Sequence, residues 1–283
     1  MTIMSIRGVP LSVEVVGHGY PLALMHGGPG QDYTSLLPLK PLADQFTLVF
    51  YDHRCNGRSF GADQSTMTME NLTADADALR HELGFEKWAV LGHSFGGQVA
   101  LEYALRYPDS LSHLILMNGG GDNWWPQVNS SRLLARRGRS AGAVEAARRF
   151  FNGEVTPRDY YSAFFKFMLA YFYRFPILVY ARELATGPKT VYRPEATIFG
   201  YRHVVNGWSV MDRLGEIKVP TLVIAGRWDF LFPPEHQAIL ADRLPSSKLV
   251  LVERAGHNPH IERQAEVVQA IREFMRAASP SAG

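Results

Sequence analysis

A serine stands between two glycines in the pentapeptide Gly-His-Ser-Phe-Gly, which runs from Gly92 to Gly96. The preceding run, KWAVLG, is typical of a buried strand, and the following run, GQVALEYALRY, is typical of a helix. A sharp strand-to-helix turn exposes the serine hydroxyl, and it requires glycines because side chains there would collide with neighbouring backbone. In this context we interpret Ser94 as a nucleophile rather than as a structural turn residue.

A serine hydroxyl needs a general base, because it is a poor nucleophile at its own pKa. The chain has ten histidines, and the partners are expected to follow the nucleophile in the order acid, then histidine. His257 lies in the loop just after the last apolar run, KLVLVE, and is the candidate base. We expect His260 to line the same loop or to start the next helix, whereas His113 and His203 are poorly placed for this role.

The acid is expected at the end of an earlier strand, where its carboxylate orients the imidazole and stabilises the imidazolium. Asp229 fits, because the run TLVIAGRWD predicts a strand, a glycine turn and then the carboxylate. Its structural alternative is a helix N-cap or a turn aspartate. Asp122 follows the run LILMN and is the weaker candidate for the same role.

Acyl transfer also requires hydrogen-bond donors for the oxyanion. The backbone N–H of Phe95, directly after the proposed nucleophile, is expected to be one donor. The glycine-rich run MHGGPG predicts a loop that approaches a substrate closely, and we assign the second donor to the N–H of Gly28. His26 is expected to brace this loop rather than to react.

Five motifs follow one another in the order found in the α/β-hydrolase superfamily: HGGPG, YDHRCNGRS, GHSFGG, GRWD and AGHNPHIE. Over essentially the whole chain, the sequence resembles the proline iminopeptidase-like branch, which also contains esterases and lactonases. The resemblance implies a catalytic triad of Ser94, Asp229 and His257. It also implies an oxyanion hole formed by Phe95 and Gly28.

One motif departs from this resemblance. Iminopeptidases typically carry glycine after the arginine of the DxRG motif, whereas this chain has Cys55 and then Asn56. Cys55 has no thiol motif of its own and is interpreted as a small loop residue. The chain has no His-x-His or His-Glu-x-x-His pattern, no P-loop and no dinucleotide fingerprint after the first strand, so we expect neither a metal nor a cofactor.

The elements that must position these residues follow an alternating pattern. Apolar runs of strand length, each closed by a turn signal, alternate along most of the chain with helical patterns such as Met69 to Leu83 and Ala265 to Ala278. Apolar strands without strict alternation, interleaved with helices, indicate an α/β fold with a mostly parallel central sheet flanked by helices.

One segment, from Asp122 to Val205, interrupts this alternation. It contains no convincing β-run, and its 13 Lys and Arg against 6 Asp and Glu give it a formal charge of +7. It also holds 17 of the 33 aromatic residues. We predict a helical cap over residues 122–205, inserted after the sixth strand. Residues 1–121 and 206–283 would then form the α/β-hydrolase core.

The composition of this cap bears on the substrate. A peptidase that removes N-terminal proline must hold a protonated amine, which requires carboxylates at the pocket. A basic cap would repel that amine, while its aromatic residues would suit an acyl chain or a ring. We therefore favour esters or lactones with an apolar acyl part, N-acyl homoserine lactones among them. The candidate substrate contacts are Trp124, Trp125, Phe165 and Tyr171.

Other interpretations stay open. The aromatic residues would alternatively hold the cap helices to the core, and the arginines would form a solvated outer face. A proline iminopeptidase-type aminopeptidase is the main alternative function. A C–C hydrolase or lyase could share the triad, and a non-catalytic ligand receptor could share the fold.

The composition excludes several other classes. A net charge of +2 gives no electrostatic reason to expect binding to nucleic acid or to an acidic membrane. A single cysteine cannot form an intramolecular disulfide, no signal peptide is recognisable, and no apolar run is long enough to span a bilayer. We expect a cytoplasmic monomer or homodimer that acts on a small-molecule ester or lactone.

Overall fold

An eight-stranded sheet forms the centre of the computed structural model, which describes residues 1–179 and 189–278. In chain order the strands are β1 (Thr2–Ile6), β2 (Val9–Gly17), β3 (Tyr20–Met25), β4 (Phe46–Tyr51), β5 (Trp88–His93), β6 (Leu111–Met117), β7 (Thr221–Gly226) and β8 (Ser247–Val252). Their order across the sheet is β1-β2-β4-β3-β5-β6-β7-β8. The six strands β4, β3, β5, β6, β7 and β8, in their order across the sheet, are parallel to one another. At one edge, β2 is antiparallel to both of its neighbours, β1 and β4. The predicted fold class is confirmed.

Two apolar clusters cover the two faces of the sheet. Successive residues of β3 alternate between them: Ala23 and Met25 belong to one cluster, and Leu22 and Leu24 belong to the other. Every residue of β5 and of β7 is buried, which is the burial expected of parallel strands covered on both faces. The strand ends that carry the candidate site residues are therefore rigidly supported.

Helices supply the covering layers. On the first face lie α1 (Met69–Glu82) and α2 (Phe95–Arg106), with buried side chains such as Leu72 and Val99. On the second face lie a 3-10 helix (Tyr33–Asp44) and the long C-terminal helix Gln264–Ala278. Within the described residues, no helix has the length and apolar content that crossing a membrane would require.

Between β6 and β7 the chain forms a set of helices, and we call residues 122–205 the insert. Its α-helices are α3 (Ser130–Arg136), α4 (Ala141–Phe151), α5 (Tyr160–Phe167) and α6 (Pro194–Phe199). After β7 follow α7 (Pro234–Arg243), α8 (Pro259–Glu262) and α9 (Gln264–Ala278). The described part of the insert contains no strand. Its first residue, Asp122, forms an isolated β-bridge with Ser209, which follows the insert.

Many aromatic residues of the insert pack against one another. The Phe150 ring lies 5.2 Å from Tyr160, 5.7 Å from Phe164 and 5.3 Å from Phe167, centre to centre. Several of its arginines form ion pairs near the surface, such as Arg148 with Glu145 at 2.9 Å. The aromatic residues thus build the interior of the insert, and much of its charge faces outward.

Candidate active site

Ser94 occupies a strained turn between β5 and α2. Its backbone has φ +55° and ψ −121°, a conformation that is uncommon for a residue with a side chain. A Cβ at Gly92 would overlap the carbonyl oxygen of Gly96, and a Cβ at Gly96 would overlap that of Met25. The two glycines therefore allow the strand and the helix to meet closely, and Ser94 stands at the point where they join.

His257 and Asp229 are joined by a short hydrogen bond. Nδ1 of His257 lies 2.8 Å from Oδ2 of Asp229, and both side chains are buried. The other oxygen, Oδ1 of Asp229, accepts the N–H of Leu231 at 2.8 Å. A proton on Nδ1 directed to the carboxylate leaves Nε2 of the neutral imidazole as an acceptor. Asp229 follows β7 and His257 follows β8, so adjacent strands position the pair.

The backbone of His257 is held by partners from the insert and from the Ser94 turn. Its N–H donates to the carbonyl oxygen of Tyr171 in the insert at 2.7 Å. Its own carbonyl oxygen accepts a hydrogen bond from Nε2 of His93 at 2.9 Å. Burial lowers the pKa of His93 well below its usual value, so this ring is neutral. The peptide groups on both sides of the His257 Cα are thus held by hydrogen bonds.

Ser94 and His257 line the same cavity, of about 150 Å³. The insert contributes aromatic and hydroxyl side chains to its walls, among them Phe164, Tyr201 and Thr197. Among the described lining residues there is no Asp, Glu, Lys or Arg side chain. The part of the cavity wall that the structure describes therefore brings no carboxylate, ammonium or guanidinium group beside the serine.

The glycine loop after β3 forms one wall of this cavity. His26 accepts the N–H of His53 at Nε2 (3.1 Å), so its Nδ1 carries the proton and donates to the Gly27 carbonyl oxygen at 2.6 Å. Burial lowers the pKa of His26 to about 4, which keeps it neutral. In a trans peptide the N–H points opposite to the carbonyl. The N–H of Gly28 therefore points away from the buried His26.

Asn56, a residue of the motif that departs from the iminopeptidase pattern, also holds this loop. Its Oδ1 accepts the N–H of Gly30 at 2.5 Å, and its Nδ2 donates to the carbonyl oxygen of Arg54 at 2.6 Å. Its neighbour Cys55 is buried, and burial raises the pKa of that thiol. The departure thus places a loop-supporting amide and an un-ionised thiol beside the glycine loop.

Of the four predicted substrate contacts, Tyr171 lines the cavity and the other three do not. Trp124 and Trp125 line a separate outer groove together with Trp208. Phe165 is 63% exposed, because consecutive residues of a helix point about 100° apart and its neighbour Phe164 faces inward. The expectation for Trp124, Trp125 and Phe165 is corrected accordingly.

The residues that do face the cavity from α5 and the following turn are Tyr160, Phe164 and Met168. Their spacing of four residues marks one side of a helix. That periodicity is visible in the sequence, and it would have separated the inward-facing aromatic residues from the outward-facing ones.

The weaker candidates have other partners. Asp122 accepts the N–H of Trp124 at 2.9 Å, so its carboxylate caps a turn at the base of the insert. His260 is hydrogen-bonded through Nε2 to the Ser35 carbonyl oxygen at 2.9 Å, and burial lowers its pKa to about 4. His113 lies within β6, and the ring of His203 lies 4.7 Å from that of Phe199.

The sequence and the fold of this chain are similar to those of known hydrolases. Residues 20–264 match the family model described as alpha/beta hydrolase fold. The chain is 27% identical over 285 residues to the proline iminopeptidase PfmaB of Pestalotiopsis fici, covering 96% of this chain and 98% of the relative. Its fold is similar to that of a proline iminopeptidase of Mycobacterium smegmatis (TM-score 0.75, 25% identity, 98% of both chains). It is also similar to a thermophilic esterase of Thermogutta terrifontis (TM-score 0.70, 26% identity, 99% of both chains).

Proposed function

The chain belongs to the alpha/beta hydrolase fold family, and from this premise we propose that it is a serine hydrolase cleaving esters or lactones with an apolar acyl part. The observation that carries the proposal is the uncharged cavity beside Ser94, into which a carboxylate-bound histidine also faces. In this proposal Ser94, His257 and Asp229 form the catalytic triad, and the insert acts as a cap over the site.

The mechanism follows from these groups. Oγ of Ser94 attacks the carbonyl carbon while Nε2 of His257 takes its proton, and Asp229 stabilises the imidazolium. The N–H groups of Phe95 and Gly28 hold the oxyanion of the tetrahedral intermediate. His257 then protonates the leaving alkoxide, which produces the alcohol and an acyl-enzyme. A water molecule activated by His257 releases the acid and restores Ser94.

The lining of the cavity favours a neutral substrate. A protonated amine enclosed there would lose its hydration without gaining a carboxylate partner from the described residues, which is unfavourable. Basic side chains of the insert such as Arg148 pair at the surface and do not line the cavity. An amine is therefore disfavoured because no carboxylate occurs among the described lining residues, and not because the insert repels it.

The volume of the cavity favours a compact acyl part. A protein cavity of roughly 150 Å³ accommodates a molecule the size of benzene. Aromatic walls formed by Phe150, Phe164 and Tyr171 suit short aliphatic or ring-shaped groups. Among N-acyl homoserine lactones, those with short acyl chains match this space.

Proline iminopeptidase activity is the second candidate. Relatives that cover nearly the whole chain carry that name, and a proline ring is small enough for the same cavity. This reaction would break an amide, whose amine leaves less readily than an alkoxide, and would place an amino group beside Tyr160 and Tyr201 rather than beside a carboxylate.

Initial rates on four substrates test the proposal: a butanoyl ester, a dodecanoyl ester, N-butanoyl homoserine lactone and a prolyl anilide. We expect the butanoyl ester or the lactone to be turned over fastest. Ser94→Ala should lose at least about 1,000-fold in kcat while its circular dichroism spectrum is unchanged. Fluorophosphonate labelling of wild type but not of Ser94→Ala would distinguish a catalyst from a ligand receptor.

Each other outcome has a defined meaning. Dominant turnover of the prolyl anilide would select the second candidate. Dominant turnover of the dodecanoyl ester would contradict the argument from cavity size. Wild-type rates in Ser94→Ala would reject the triad altogether.

A further inference from the structure

The loops that carry His257 and Asp229 lie against each other beyond the ends of β7 and β8. A Cβ at Gly226 would overlap the Gly256 carbonyl oxygen, so the two backbones meet without room for a side chain. The N–H of Trp228 donates to the carbonyl oxygen of Ala255 at 2.9 Å. The position of one loop therefore fixes the position of the other.

A single buried amide joins these two loops. Asn118 is fully buried directly after β6, with a left-handed φ of +44°. Its Oδ1 accepts the N–H of Gly226 at 2.8 Å, and its Nδ2 donates to the carbonyl oxygen of Gly256 at 2.9 Å. Gly226 lies three residues before Asp229 and Gly256 directly precedes His257. Asn118 thus contacts both loops without touching either reacting side chain.

A carboxylate holds the preceding peptide group of the same residue, Gly256. Oε2 of Glu262, in α8, accepts the N–H of Gly256 at 2.7 Å. Its Oε1 accepts the N–H of Arg174 in the insert at 3.0 Å. The insert also supplies the Tyr171 carbonyl oxygen that accepts the N–H of His257. Glu262 therefore ties the His257 loop to the insert, while Asn118 ties it to the sheet.

We propose that Asn118 and Glu262 are positioning residues that clamp the two peptide groups of Gly256 and thereby set the geometry between His257 and Asp229. This inference rests on the proposed roles of that pair. Neither residue takes part in bond making or breaking. Their effect reaches His257 through the backbone of Gly256 and reaches Asp229 through that of Gly226, and the insert takes part in it through Tyr171 and Arg174.

The first test replaces Asn118 with glycine, which accepts a positive φ and removes only the amide. A displacement of about 1 Å at a catalytic group lowers turnover by roughly 100-fold, so we expect a loss of this size in kcat with little change in KM. The matched control is Asn123→Gly, because Asn123 is also a buried amide after β6 but contacts neither loop. Its kcat should stay near the wild-type value.

The second readout needs no substrate. The proton between Nδ1 of His257 and Asp229 is expected to give a low-field proton NMR resonance, assigned by its absence in His257→Ala. We expect the resonance in wild type, Ser94→Ala and Asn123→Gly, and its loss or upfield movement in Asn118→Gly. An unchanged resonance together with unchanged kcat in Asn118→Gly would overturn the clamp.

Glu262 provides the second variant if Asn118→Gly does not fold. Glu262→Ala removes both acceptors, whereas Glu262→Gln keeps one oxygen for the N–H of Gly256. In Glu262→Ala we expect the resonance to be lost or moved upfield and kcat to fall, and in Glu262→Gln we expect both to return part of the way to the wild-type values. Wild-type resonance and wild-type kcat in both variants would contradict the proposal. Absence of any Ser94-dependent turnover in wild type would reject the proposed function, while the resonance would still test the clamp.

Discussion

At the scale of single residues, two aspartates follow neighbouring strands and differ in what their carboxylates accept. Asp229 accepts the imidazole of His257 and one backbone N–H. Asp122 accepts backbone N–H groups at the start of the insert, those of Trp124 and Trp125. One carboxylate therefore binds an imidazole ring, and the other caps a turn.

This difference predicts opposite results for the same substitution. Asp229→Asn keeps the shape but removes the charge that stabilises the imidazolium, so kcat should fall by about 10,000-fold with KM little changed, as for the equivalent change in a serine protease. Asp122→Asn should keep kcat near the wild-type value. Steady-state kinetics on the butanoyl ester measure both, and a large loss in Asp122→Asn alone would reverse the assignment of the acid.

The residues of the candidate site differ in how far the sequence could predict them. The positions of Ser94, Asp229 and His257 after the ends of strands were predictable, because the apolar runs of those strands are plain; their catalytic roles stay a prediction. The prediction that Trp124 and Phe165 contact the substrate was wrong, because a high density of aromatic residues indicates burial without indicating which way each side chain points. Asn118 gave no signal, since its role depends on Gly226 and Gly256, which only the folded sheet brings to it.

At the scale of elements, the meeting of β5 with α2 depends on glycine. The Cβ of an alanine at position 96 would overlap backbone of β3, which has no flexible end that could move aside. Gly142, near the start of α4, has open space where its Cβ would lie. The same substitution should therefore have opposite effects at the two positions.

Gly96→Ala should lower the free energy of unfolding by about 1–3 kcal/mol or more, because the overlap forces backbone to shift. Gly142→Ala should raise it by up to about 1 kcal/mol, because alanine loses less backbone entropy in a helix. Urea denaturation of the two variants and wild type measures both changes. A neutral effect of Gly96→Ala would show that the turn has more freedom than its geometry indicates.

Elements were predictable where an apolar run was continuous, as in β5 and β7, or where a helical pattern was plain, as in α1. Strand β1 was not, because only Ile6 of its five residues is fully buried and the strand lies at the sheet edge. The 3-10 helix Tyr33–Asp44 was obscured by two internal prolines. Its buried Leu36, Leu39 and Leu42 repeat every three residues, which is the period of a 3-10 helix rather than of an α-helix.

At the scale of the whole molecule, buried histidines set the response to acid. Burial lowers the pKa of His26, His236 and His260 from 6.5 to about 4. Burial likewise lowers the pKa of His53 and His93 well below 6.5. Below pH 6.5 the unfolded chain binds protons that the folded chain does not, so the free energy of unfolding falls as the pH is lowered toward 4.

Among the described residues, the carboxyl groups of Asp52 and Glu262 act in the opposite direction, because burial raises the pKa of each. Burial raises the pKa of Asp52 from 3.8 to about 7, so between these values the folded chain binds a proton that the unfolded chain does not. This contribution stabilises the fold as the pH falls from 7 to 4. The stabilising contribution of Asp52 is about as large as the destabilising contribution of one of the five histidines, so acid still lowers the free energy of unfolding.

His236→Phe should make the loss of stability between pH 6.5 and 5 shallower by about 1 kcal/mol per pH unit, because the unfolded histidine takes up most of one proton over this range. His236 is suited to this test because its ring nitrogens have no hydrogen-bond partner among the described residues. The ring of phenylalanine can keep the packing against Trp125 and Phe232. Urea denaturation at several pH values measures the slope. The exposed His18→Asn is the control, and an equal change of slope in both variants would contradict the prediction.

The sequence predicted the α/β class and the parallel sheet of the whole molecule, because these follow from the spacing of apolar runs. It also indicated a basic, aromatic region between two strands. It could not predict where that charge would point, because composition sums charges over a segment irrespective of direction. In the structure, Arg148 and Arg149 pair with carboxylates near the surface, and no Lys, Arg, Asp or Glu is found among the described residues that line the cavity.

The hydrogen bond from the N–H of His257 to the carbonyl oxygen of Tyr171 limits how this chain could be recombined with its relatives. Both partners in the insert are backbone groups, so another family member's insert could replace them only if its backbone followed the same path at residues 171–174. A carbonyl oxygen must then lie where that of Tyr171 accepts the N–H of His257, and an N–H must lie where that of Arg174 donates to Glu262. Exchange of the insert between relatives is therefore limited by backbone geometry at this point rather than by side-chain identity.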